Sequence, residues 1–188
     1  MENVGAFVGK FLPPHKGHVK MINLALNYCD KIIVVLSENP RNSQLICEKD
    51  NFPYFDASLR LNWLKNEFKY DKRVSFVYLN TTGIQEFPLD QEKWTKRFWE
   101  VVPNNVNVKI AGDISYKSLN EKYFTECKFL YIDRQNVLPI SASDIRKSPY
   151  NYQEFMLNST KEYFKKNTSN ITSNIFDNIL SVSKKAQT

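Results

Sequence analysis

The stretch Gly9-Lys10-Phe11-Leu12-Pro13-Pro14-His15-Lys16-Gly17-His18 constrains this chain more than any other. It follows a short apolar run, Val4-Gly5-Ala6-Phe7-Val8, that reads as a buried strand. It leads into residues 19–26, where Val19, Ile22 and Ala25-Leu26 recur at helical spacing. The stretch is therefore a strand-to-helix turn. Its glycines allow close backbone approach, and Pro13-Pro14 stiffens the entry to the helix. His15 and His18 are the only two histidines in the chain, and at this spacing they share one helix face. A helix N-terminus offers unpaired N–H groups and the positive end of the dipole, which suits phosphate, and Lys10 adds a cation beside it. Metal binding is the weaker alternative, because the pair has no nearby Cys or carboxylate partner in sequence.

Beyond the turn, strand and helix patterns alternate. Lys31-Ile32-Ile33-Val34-Val35-Leu36 is a β-branched run without polar alternation, the pattern of a parallel strand buried on both faces. Residues 37–55 are polar and proline-punctuated, and read as a loop over the site. Asp56 is a fitting N-cap for a helix over 56–68 that places Leu61, Leu64 and Phe68 on one stripe. Strands are expected over 74–79, 106–111 and 128–132, helices over 91–101 and 115–124, and a long loop over 81–90. This order specifies an α/β fold with a doubly wound parallel sheet. Ligands bind such sheets at the carboxyl ends of the strands, so the turn at 9–18, the loops at 37–55 and 80–90, and Gly112-Asp113 are expected to share one crevice. Residues 1–166 read as one domain. In 167–188, rich in Asn, Ser and Lys, Ile171, Ile175, Ile179 and Val182 keep a helical period, which points to a C-terminal helical tail.

Composition narrows the function classes. The chain's 188 residues, 42% hydrophobic and 24% charged, suit one domain with a full core. No run of a membrane span's length and no signal-peptide pattern occurs, and Cys29, Cys47 and Cys127 are odd in number and lack CxxC spacing. A cytoplasmic protein with reduced thiols is expected. The net charge of +6 comes from scattered lysines and arginines, with no zinc-finger or RNP-type motif. A site for small polyanions accounts for it better than nucleic acid does.

A second stretch, Ile140-Ser141-Ala142-Ser143-Asp144-Ile145-Arg146, joins hydroxyls at a helix start to an arginine one turn on. Alone it is either an N-cap with a surface arginine or a second phosphate cradle. The two stretches together resemble the HxGH nucleotidylyltransferase superfamily, in its GKFxPxHxGH form with an ISxTxxR signature, Ser143 standing in the usual Thr position. To about residue 165 the chain further resembles the nicotinamide-mononucleotide adenylyltransferase domain of the bacterial regulator-type NAD biosynthesis proteins. Arg60-Leu61-Asn62-Trp63-Leu64, Phe68-Lys69-Tyr70, Gly83 to Pro88 running on to Trp94, and Ile140 to Phe155 carry that likeness.

The resemblance implies a Rossmann-like fold and the joining of ATP to nicotinamide mononucleotide, giving NAD and pyrophosphate. It implies that His18 donates to the α-phosphate, that His15 holds the triphosphate and that Lys10 bridges the reacting phosphates. Arg146, with Ser141 and Ser143, would grip the leaving pyrophosphate. Mg²⁺ is expected with ATP, held by ATP oxygens, since the sequence offers no dedicated carboxylate cage and no metal ligand is assigned. Trp94 is expected to stack the nicotinamide ring, with packing in the core as the alternative; Thr82, Gly83 and Ile84 would line the same pocket. Arg41 is read either as a phosphate contact or as a solvated loop residue. Val8, Gly9, Phe11 and Gly17 belong to the binding turn. Ala111, Gly112 and Asp113 would lie under the dinucleotide, and Leu138, Pro139 and Ile140 would wall the adenine. A ribosylnicotinamide kinase domain usually follows in this family; no GxxxxGK[ST] P-loop occurs here, so kinase activity is not expected of this chain, and neither is the family's repressor role. Transfer to pantetheine phosphate, a cytidylyl donor, or a non-catalytic NAD/ATP sensor are the competing readings. Neither membrane nor nucleic acid is an expected partner, and a homo-oligomer stays open.

Overall fold

Strands β1 (Val4–Gly9), β2 (Lys31–Glu38), β3 (Val74–Asn80), β4 (Val108–Ala111) and β5 (Lys128–Tyr131) form one parallel sheet in the order β3-β2-β1-β4-β5. The structure, a computed structural model, describes residues 2–86 and 88–167. The helices are α1 (Lys16–Ala25), α2 (Pro40–Lys49), α3 (Ala57–Glu67), α4 (Gln91–Val101), α5 (Lys117–Tyr123), α6 (Arg134–Val137), α7 (Ala142–Lys147) and α8 (Asn158–Asn167).

The lack of alternation in β2 has its physical cause in two cores. Ile32, Val34 and Leu36 point into one, with Met21 and Ile22 of α1, Leu61 and Leu64 of α3, and Phe164 of α8. Ile33 and Val35 point into the other, with Phe98 of α4, Val102 and Phe124. Each face of a strand has period two, so burying both faces requires apolar residues at every position. The chain winds outward through β1, β2 and β3, then returns to the other side of β1 with β4. That reversal puts the switch point between β1 and β4, and the turn at 9–18 sits at its carboxyl edge.

Local signals held where they were strongest. Asp56 caps α3 by accepting from Leu59 N–H at 2.8 Å, and Leu61, Leu64 and Phe68 are all buried. The 37–55 segment is a correction: most of it is α2 rather than a loop. Asn39 accepts from Arg41 and Asn42 N–H, and Pro40 takes the first helical position, where its missing N–H costs nothing. Pro40 thus opens a helix rather than marking a loop. The region expected as helix over 115–124 begins with a 3-10 turn at Ile114–Tyr116 before α5, and β4 is shorter than expected. Helices α6 and α8 carried no sequence expectation. The helical period of the 171–182 tail lies outside the described residues.

Candidate active site

A crevice of about 710 Å³ opens at the carboxyl edge of β1 and β4. The turn after β1 is held in an unusual shape. Phe11 has φ 48°, a left-handed conformation costly for a bulky side chain. Its ring is buried against Phe7 and sits edge-on to His18, with centroids 4.8 Å apart. His15 is the N-cap residue of α1, and its imidazole lies 3.7 Å, centroid to centroid, from that of His18. Gly17 must lack a side chain here: a Cβ would lie 2.9 Å from His15 ring atoms.

The backbone N–H of His15 donates to Nδ1 of His18 at 3.2 Å. That bond leaves Nδ1 unprotonated, so the neutral ring carries its proton on Nε2. Both rings resist a charge. Burial chiefly, then Arg134 nearby, lowers His15 to about 4, against a smaller opposing pull from Asp144. Burial, His15 and Arg134 hold His18 well below its ordinary value. His15 Nδ1 is buried without a hydrogen-bond partner. At neutral pH the site therefore presents neutral N–H donors flanked by permanent cations.

Those cations are anchored from distant elements. Arg146 on α7 donates from Nε to Asp50 at 2.7 Å and from Nη1 to the Leu12 carbonyl at 2.6 Å, which ties α7 to the turn. No described residue accepts from its Nη2. Lys10 pairs with Glu86 at 2.8 Å, and Asn42 also donates to that carboxylate. Arg134, at the start of α6, lines the crevice as well. Ser141 is spent locally: its hydroxyl donates to Asp144 at 2.6 Å and accepts from Asp144 N–H, capping α7. Ser143 also lines the crevice, and no described residue engages its hydroxyl.

Most expected residues meet in this crevice: Val8, Gly9, Lys10, Phe11, His15, Gly17, His18, Ile84, Trp94, Ala111, Gly112, Asp113, Leu138, Ile140, Ser141, Ser143 and Arg146. Four do not. Arg41 is on the outer face of α2, 67% exposed, 3.8 Å from Glu48. Thr82 and Gly83 form an exposed turn in which Gly83 takes φ 81°, so the loop meets the crevice through Thr81, Ile84, Gln85 and Glu86. Pro139 is absent from the lining, although its neighbours Leu138 and Ile140 are in it. Trp94 lies at the boundary between core and crevice, where its two readings meet. It lines the crevice, stacks on Phe98 at 5.4 Å and donates from Nε1 to Ser37 Oγ at 3.1 Å.

Sequence reasoning missed three features. Arg134 follows β5 and could have been found by applying the strand-end rule once more. Glu38 and Arg60 form an ion pair with both side chains wholly buried, at the end of β2 and inside α3; nothing local announced it. Lys109 is a single charge within the apolar run of β4, an anomaly visible in the sequence. Its Nζ lies 4.1 Å from the Phe98 ring centroid and 4.3 Å from that of Phe124, and burial lowers its ammonium to about 7, with Cys127 opposing.

Among the described residues, no group of three or more His, Cys, Asp or Glu side chains is placed to hold a metal ion. No helix among them is long and apolar enough to cross a membrane.

Comparison with known proteins places this geometry in context. The sequence profile of the family described as cytidylyltransferase-like matches residues 6–148. The chain is 24% identical over 170 residues to the trifunctional NAD biosynthesis/regulator protein NadR of Escherichia coli K12, covering 87% of this chain and 41% of that protein. It is 39% identical over 77 residues to a probable nicotinate-nucleotide adenylyltransferase of Sulfurimonas denitrificans, covering 39% of this chain and 38% of that protein. The matches thus span well under half of these curated relatives. A crystal structure of NadR protein in complex with NAD and AMP-PNP superposes with a TM-score of 0.66 at 20% identity, over 87% of this chain and 47% of that one. A bifunctional NMN adenylyltransferase/ADP ribose pyrophosphatase from Francisella tularensis superposes with a TM-score of 0.67 at 19% identity, over 100% of this chain and 56% of that one. At these identities the superpositions establish the fold, a Rossmann-like nucleotidylyltransferase architecture.

Proposed function

The chain belongs to the cytidylyltransferase-like family, and we propose that it is an adenylyltransferase that joins ATP to a pyridine mononucleotide, with nicotinamide mononucleotide giving NAD. The observation that carries this reading is the paired imidazoles of His15 and His18, 3.7 Å apart at the head of α1, sharing one crevice with Arg146 and Trp94. The names of the relatives, NAD biosynthesis proteins and nicotinate-nucleotide adenylyltransferases, support the same substrate class.

The reaction needs no protein nucleophile. An ionised oxygen of the mononucleotide phosphate attacks the α-phosphorus of ATP, the bond from that phosphorus to the bridging oxygen breaks, and pyrophosphate leaves. The protein's task is to bring two anions together and to stabilise the charge that builds on the α-phosphoryl oxygens. His18 suits this because its neutral ring carries the proton on Nε2, a donor fixed by the bond at Nδ1. Lys10, Arg134 and the free edge of Arg146 supply positive charge along the triphosphate, and Ser143 supplies a hydroxyl. The aromatic wall around Trp94 takes the pyridine ring. The nitrogen-rich lining fits phosphate oxygens rather than a caged ion, so a divalent metal such as Mg²⁺ fits this crevice only on the nucleotide's own oxygens, where it would neutralise phosphate charge.

A coupled assay tests the reading: the chain with ATP or CTP, and in turn nicotinamide mononucleotide, nicotinate mononucleotide or pantetheine phosphate. Dinucleotide formed with ATP and a pyridine mononucleotide is expected. Product only with CTP or with pantetheine phosphate would overturn it.

A further inference from the structure

Side chains on β4 alternate, so Lys109 points away from the core that receives Val108 and Ile110 and towards the layer of α4 and α5. There its Nζ is enclosed by three rings, 4.1 Å from the centroid of Phe98, 4.3 Å from Phe124 and 5.5 Å from Trp94. The residue is 5% exposed, yet it lines the crevice alongside Trp94, Asn120 and Phe124. No described carboxylate pairs with it. A buried ammonium without a counter-ion is costly, and attraction to ring faces offsets only part of that cost. The arrangement is well suited to a ligand that brings the missing negative charge.

We propose that Lys109 reads the substituent on the acceptor's pyridine ring and selects a carboxylate over a carboxamide, so that the preferred acceptor is the nicotinate form of the mononucleotide. This rests on the reading that the acceptor is a pyridine mononucleotide whose ring meets the Trp94 wall. The pyridine ring of such a mononucleotide carries a positive charge, and placed beside an ammonium it is repelled. A ring carboxylate cancels that repulsion and accepts a charge-assisted hydrogen bond, whereas a carboxamide offers only a neutral carbonyl oxygen. The reacting phosphates have their own partners: His15 and His18 come from the β1 turn, Arg134 from α6 and Arg146 from α7. Lys109 comes from β4 and opens on the aromatic wall, so the carboxylate and the phosphate do not compete for one cation.

The test measures kcat/KM for nicotinate and nicotinamide mononucleotides, with saturating ATP, for the parent chain, Lys109→Met and Lys109→Arg. The parent should favour the acid by about tenfold or more, the scale of one charge-assisted hydrogen bond. Lys109→Met should raise the KM for the acid by about ten- to a hundredfold and change the amide far less, so that the preference collapses. Lys109→Arg should restore most of it. A parent that prefers the amide would overturn this inference while leaving the adenylyltransferase reading intact. So would a Lys109→Met variant that melts like the parent and weakens both acceptors equally. Turnover of neither acceptor by the folded parent would overturn the acceptor reading and this inference together.

Discussion

The guanidinium of Arg60 donates to the backbone carbonyl of Lys10, tying α3 to the turn that carries both histidines across a sequence gap of 50 residues. The same side chain is ion-paired with Glu38, and both are fully buried. Glu38 also accepts from the Tyr54 hydroxyl at 3.3 Å and lines the crevice. Arg60 thus holds in place the turn that carries both histidines. Arg60→Met should cost about 3–5 kcal/mol of stability, because it strands a buried carboxylate. Chemical denaturation measures this. Replacing both partners with methionine should recover much of the loss, and a single variant as stable as the parent would contradict the assignment.

His18→Ala should lower kcat by about two to three orders of magnitude, the scale of losing one preorganised donor to a developing negative charge. Mononucleotide and ATP affinities should change far less, since the donor acts on charge that develops only during transfer. Single-turnover kinetics beside equilibrium titration separates the two effects; wild-type kcat would exclude the role.

Acid should destabilise the fold through the histidine pair. His15 ordinarily titrates near 6.5, and its buried environment lowers it to about 4. Between those values the unfolded chain binds a proton that the native state refuses, so stability rises with pH through this window. The contribution is complete above about 6.5 and is lost as pH falls towards about 4, each pH unit within the window being worth about 1.4 kcal/mol. His15→Gln should flatten that part of a melting-temperature profile taken from about pH 7 to pH 4. An unchanged slope would argue against a buried neutral ring.

Glu86 occupies the ammonium of Lys10 at 2.8 Å, so a phosphate must compete for it. The two side chains are 39% and 43% exposed, and an exposed pair of this kind is worth about 0–1 kcal/mol. Glu86→Gln should therefore lower the KM for ATP by up to about fivefold with little change in stability. A rise in KM would mean that Glu86 supports substrate instead of competing with it.

Trp94 lies between core and crevice, so truncation should act on both. Trp94→Ala should weaken the mononucleotide by about five- to thirtyfold through lost stacking on a cationic ring. It should also cost about 3 kcal/mol of stability as the Phe98 stack and the Ser37 hydrogen bond go. Trp94→Phe keeps a ring face and should preserve most of the affinity. Separate titrations of ATP and mononucleotide, with a melt of each variant, distinguish binding from packing; loss of stability without selective loss of mononucleotide affinity would remove the stacking role.

What the sequence determined by itself was written in short-range chemistry. The alternation of strand and helix, the two-faced burial of β2, the Asp56 cap of α3 and the imidazole pair at the head of α1 each rest on a few consecutive residues. Period and turn chemistry act over one or two turns, so they are legible without the fold. The tertiary structure decided which of those groups remain available. Ser141 could bind a ligand or cap its own helix, and Asp144 takes its hydroxyl for the cap. Arg41 faces solvent because the 37–55 segment winds into α2 and turns it outward. Lys109 became informative only when α4 and α5 closed three rings around it. Arg146 acquired its orientation from Asp50, 96 residues away. Contacts of that separation depend on strand order and helix packing, which no local window contains, and they fix where each charge points.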